Sequence, residues 1–262
     1  MEIVRQLRSE QERAADRVEH EMDFLWTPFR QEAVAVATNA IETAKQRNSI
    51  GESRWQNPNE SMREVQKALV MRCFAMIDGL SQSVRGGSAW DKAYSGRVDK
   101  IRAKAKKAGK PIRSFPRAQT WRMTRFIQHY MEVSPTVSRL AIELYRHMLM
   151  HEGVLRGVID DEERVYTWYL GWEADTNDHF CVRRSISGRT AHETAALVQK
   201  HGNDYMGKGW LVELSTLNLI ADVERAAARY VADLRKSTSL FYAYEQLNSE
   251  RWESKLKWTP QL

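Results

Sequence analysis

Apolar residues three and four apart recur through this chain, and that spacing restricts most of it to helices. Val65, Leu69, Cys73, Met76 and Leu80 form one such series, and Leu214, Leu217, Ile220, Val223, Ala227, Val231 and Leu234 form another. Side chains at these intervals share one face of an α-helix, so each series predicts a core-facing stripe. The first stripe belongs to a helix that opens on the capping box of Ser61 and Glu64 and runs to about Val84. The second belongs to a helix from about Leu211 to Lys236, followed by a tail, 237–262, in which periodicity fades. Residues 2–47 are charged and helix-favouring, with Pro28 predicting either two helices or one sharply kinked rod. The expected architecture is therefore mainly α: a helical bundle over 58–236 with an N-terminal helical arm over 1–57.

One stretch departs from that period. Residues 164–170 and 180–186 are rich in aromatic and β-branched side chains, and Asp175, Thr176, Asn177 and Asp178 between them are turn formers. They predict a small β-hairpin inserted at 160–190.

A chain of 262 residues can bury a sizeable core, and 40 Lys and Arg against 34 Asp and Glu leave it at +6. That balance favours polyanionic partners such as nucleic acid or acidic lipid. Cys73 and Cys181 sit in apolar surroundings, so neither a disulfide framework nor a cysteine-based zinc site is expected. No run of about 18 apolar residues is present to span a bilayer, and the polar start Met1-Glu2-Ile3-Val4-Arg5-Gln6 is unlike a signal peptide. The expected location is the cytoplasm, with no membrane partner.

The positive charge is concentrated in an insert at 85–118. Arg97, Lys100, Arg102, Lys104, Lys106, Lys107, Lys110, Arg113 and Arg117 lie there, flanked by Trp90, Phe115 and Trp121. A solvated helix and loop is one reading; an arm that tracks phosphates, with aromatic rings available for stacking, is the other.

The segment Arg146-His147-Met148-Leu149-Met150-His151-Glu152-Gly153 carries the most pointed chemistry. A guanidinium offers a fixed cationic fork for phosphate oxygens, and imidazole exchanges protons near neutrality, so the group could cleave a phosphodiester without a metal. The segment ends a helix that Ser134 caps and Pro135 opens, with Gly153 as its stop. Val137, Leu140, Ala141, Leu144 and Met148 make its core stripe, with His151 at the edge. Ile142, Leu149 and Met150 surround Arg146, so burial on a second side is expected, against another element or a twin subunit. On an ideal α-helical wheel Arg146 projects roughly opposite His151. The plainer reading makes His151 a satisfied core histidine and Arg146 a buried cation paired with Asp78 or Glu143. His147 and His151 also have metal-ligand spacing, but the zinc-protease glutamate and a third ligand are missing, so neither metal nor cofactor is expected.

Taken together, the helix 68–78 bearing Asp78, the later Arg-His-x-x-x-His segment and a long final helix resemble the HEPN superfamily over about 61–236. The resemblance implies an all-helical, dimeric, metal-independent endoribonuclease of toxin–antitoxin or phage-defence systems. Its partners would be RNA and an antitoxin or sensor protein. It places Arg146, His147 and His151 in the active site, with Asp78 as a looser match. His151 would take the proton from a ribose 2′-hydroxyl, Arg146 would stabilise charge on the phosphate, His147 would hold or protonate it, and Asp78 would orient one of them. The alternative is a non-catalytic helical protein that binds nucleic acid or a protein partner through 97–117.

Overall fold

The computed structural model describes residues 2–49, 60–83, 87–108, 118–147, 158–159, 165–172, 180–185 and 210–258. Among them the helices are α1 (Glu2–Ser49), α2 (Glu60–Ser83), α3 (Gly87–Lys107), α4 (Ala118–Tyr130), α5 (Pro135–Ala141), α6 (Thr216–Lys236) and α7 (Thr238–Trp258). The strands are β1 (Val158–Ile159), β2 (Val165–Gly171), β3 (Cys181–Ser185) and β4 (Trp210–Ser215). The protein is mainly helical, as the apolar spacing predicts. No described helix is long and apolar enough to cross a membrane.

Several elements differ from the sequence expectation for identifiable reasons. α1 continues through Pro28 as one helix. Proline removes a helical hydrogen bond, but Trp26 and Phe29 are buried beside it, and Val18, Ala33, Ala37 and Ala40 continue the same buried face. That burial offsets the lost bond. In α2 the buried apolar side chains are Val70, Cys73, Phe74, Ile77 and Leu80, while Val65 is exposed. The helix is apolar around so much of its circumference that spacing alone selects a stripe about one residue off. α7 replaces the expected aperiodic tail, with Leu240, Phe241, Tyr244 and Leu247 buried at helical intervals.

The expected hairpin is overturned. β2 and β3 both form, but β4 lies between them, giving the order β1-β2-β4-β3. β2 runs parallel to β4, with Tyr166 opposite Trp210 and Leu170 opposite Leu214, while β3 runs antiparallel to β4 on its other side. Residues 210–215 are thus a strand rather than the first turns of the long helix, and α6 starts at Thr216. Ser215 makes the junction: its Oγ accepts the Asn218 amide at 3.2 Å and donates to the Trp172 carbonyl at 3.1 Å. The turn formers at 175–178 lie outside the described residues.

The chain divides into two compact units. One comprises Met1–Trp26, Met76–Glu132 and Arg225–Leu262; the other comprises Thr27–Ala75 and Val133–Glu224. In the first, the Phe126, Tyr130 and Tyr230 rings cluster with centroids 4.8 to 6.4 Å apart. Arg235 of α6 reaches Glu12, Asp16 and Glu19 of α1 at 3.0, 3.1 and 2.8 Å, a network rather than an isolated surface pair. In the second unit the sheet backs α5. Phe180 donates its amide to the buried Asp222 carboxylate at 3.0 Å, and Gln66 of α2 donates to Thr216 at 3.1 Å.

Candidate nucleic-acid interface

The basic face is built on α3, in the first unit. Tyr94, Val98 and Ala105 form its packed line, Val98 being buried, and α4 and α7 lie against the helix. Arg97, Lys100, Arg102, Lys104, Lys106 and Lys107 are all exposed. At 3.6 residues per turn, Arg97, Lys100, Lys104 and Lys107 fall within about 80° of one another and span about 15 Å. Arg102 and Lys106 flank the packed line on the other side, and Arg102 lies 3.9 Å from Asp99. Lys110, Arg113 and Arg117 lie outside the described residues.

Magnitudes separate the two readings of this stripe. Like charges three or four residues apart destabilise a helix by about 0.2–0.5 kcal/mol per pair, and the stripe contains three such pairs. A favourable interaction of cations with the helix C-terminus accounts for Lys104, Lys106 and Lys107 in the last turn. It does not reach Arg97 or Lys100, about three and two turns before the end of the helix. Their alignment with Lys104 and Lys107 is repulsive in the free protein and becomes attractive against a line of phosphates.

Trp121 is not the open stacking surface that the sequence allows. Its ring packs on Tyr94 with centroids 5.8 Å apart, and the Arg125 guanidinium lies 5.2 Å over it. The side chain of Trp90, and Phe115 altogether, lie outside the described residues.

Arg146 stands in the second unit. The helix capped by Ser134 forms, with Leu140, Ala141 and Leu144 buried as its stripe predicts. From Ile142 to His147, however, it widens into a π-helical turn. The α-helical wheel that set Arg146 opposite His151 does not apply there, because π-helical bonds run from i to i+5. α5 packs on β3 and β4. Tyr145, which spacing did not single out, fastens the turn: its hydroxyl lies 2.8 Å from the Tyr169 carbonyl and 2.6 Å from that of Val212. Its single proton serves both oxygens. Burial pushes the Tyr145 phenol well above its ordinary value, with Cys181 contributing next. Beside it Arg146 is only 7% exposed. The side chain of His147, and all of His151, lie outside the described residues.

Asp78 belongs to the first unit. It accepts from Gln119 and lies 4.0 Å from the buried Arg122. The two cysteines offer no nucleophile, since burial pushes both thiols up, and at Cys181 the Glu213 charge adds to it. No family model matches the chain, and neither a curated protein nor a solved structure matches it.

Proposed function

We propose that this chain binds single-stranded RNA along α3, its phosphates lying on Arg97, Lys100, Lys104 and Lys107. The observation that carries the reading is the alignment of these four exposed cations on one helical face. Each lysine or arginine that neutralises a phosphate contributes about 0.7 to the slope of log affinity against log salt for a single strand. Replacing all four by alanine is expected to weaken binding of a fluorescent RNA oligomer and to flatten that slope by about 2.8. A folded quadruple variant with unchanged affinity and slope overturns the proposal.

A second reading, a dimeric HEPN-type endoribonuclease acting as a toxin or defence effector under an antitoxin or sensor, is favoured by the π-helical turn that holds Arg146. Such turns are rare and occur frequently at functional sites. In this reading His151 is the base, Arg146 stabilises the phosphate charge and His147 assists. The expected result is RNA cleavage in EDTA that His151→Ala abolishes while circular dichroism stays unchanged. Arg146→Ala is expected to lose cleavage too, and because Arg146 is buried its folding is checked alongside. Wild-type protein that binds RNA and never cuts it leaves the binding reading alone standing.

A further inference from the structure

In the first unit a cleft of about 320 Å³ opens between α1 and α7, lined by Glu10, Arg13, Arg17, Phe241, Tyr242 and Glu245. Its volume lies at the low end of the range for small-molecule sites, the scale of a single monomer rather than a folded partner. The charged groups differ in how far they are already engaged. Arg17 pairs with Glu245 and lies over the Tyr244 ring, which neutralises both at the cleft wall. Glu10 accepts from Gln6 at 3.3 Å. Arg13 donates its Nε to the Ser9 carbonyl at 3.2 Å, and among the described residues its two terminal nitrogens hold no other group.

The aromatic residues differ in the same way. Phe241 is 4% exposed and seated in the core, while Tyr242, whose ring centroid is 5.4 Å from that of Phe241, is 59% exposed. An exposed aromatic ring that lines the same cleft as an open guanidinium fork matches what a nucleotide requires. The base gains a flat apolar surface to stack on, and the phosphate gains two parallel donors. α7 also packs against α3, so the cleft and the basic stripe belong to neighbouring helices of one unit.

Resting on the RNA-binding reading above, we propose that this cleft is a nucleotide subsite, with a base stacked on Tyr242 and its phosphate held by Arg13. The stripe on α3 then recognises the backbone without regard to bases, and the cleft supplies the affinity that depends on a base being present.

The test compares an RNA oligomer with an abasic oligomer of the same length, which keeps the phosphates and lacks the rings. Wild-type protein is expected to prefer the intact oligomer by roughly fivefold or more, the effect of one stacked base. Tyr242→Ala abolishes that preference by weakening only the intact oligomer, and Tyr242→Phe retains it, because stacking does not need the hydroxyl. Arg13→Ala weakens both oligomers. If Tyr242→Ala binds intact and abasic RNA as the wild type does, while the quadruple α3 variant still loses affinity, the subsite is disproved and the α3 interface stands. If the α3 variant is unchanged while Tyr242→Ala loses the preference, the α3 interface fails and the cleft alone binds.

Discussion

Tyr145 shows how much a single side chain can decide here. It is fully buried, and its hydroxyl is shared between carbonyls on two parallel-paired strands. Removing a neutral hydrogen bond costs about 1 kcal/mol, and this hydroxyl reaches two carbonyl oxygens. Tyr145→Phe keeps the ring and its packing, so it is expected to lower stability by about 1–2 kcal/mol, read as a shift of the urea midpoint with unchanged slope. An unshifted midpoint would show that the turn is held by packing alone. The same position explains a limit of sequence reading. Arg146, His147 and His151 announce themselves by chemical type, whereas a tyrosine between apolar neighbours reads as one more core residue. Nothing in its spacing tells that its hydroxyl meets the backbone of strands 24 and 67 positions away.

Local pattern served the elements unequally. α5 begins where sequence places it, because Ser134 caps it and Pro135 lacks only an amide that would be unbonded anyway. β4 reads as helix in the sequence because Leu211, Leu214 and Leu217 continue a helical interval across a boundary that Ser215 in fact caps. The strand is buried along nearly its whole length, so it lacks the alternation that marks a half-exposed one. α3 offers a prediction at this scale. Gly96 lies inside it, and a Cβ added there meets nothing within 4 Å. Glycine in a helix interior costs roughly 0.5–1 kcal/mol relative to alanine. Gly96→Ala is therefore expected to raise the melting temperature by about 1–4 °C, measured calorimetrically, and to leave RNA affinity intact. A fall in melting temperature would contradict an uncrowded helix at that point.

At the scale of the whole molecule, stability has an alkaline limit. Burial raises Cys73 and Cys181 above their ordinary value of 9.0, and Tyr130 and Tyr145 above 10.0. At Tyr130 the Asp233 carboxylate adds to the effect. Folded, these groups keep their protons; unfolded, they lose them at their ordinary values. The folded state therefore binds more protons at high pH, and its stability is complete below pH 9 and falls as pH rises beyond it. Urea midpoints measured from about pH 7 to pH 11 are expected to stay level and then drop, with the thiols ahead of the phenols. Midpoints level throughout would mean that these side chains reach solvent in the folded protein.

What the amino-acid order determined by itself was local: helical content, the caps at Ser134 and Pro135, the concentration of cations along α3. Each depends on neighbours within a turn or two, where spacing and side-chain chemistry act directly. Tertiary structure decided the rest: β4 placed between β2 and β3, α5 backed by the sheet, the cleft that joins Arg13 to Tyr242. Those outcomes depend on which buried surfaces find each other across long separations, and apolar residues that suit several partners equally carry no local mark of the one they meet.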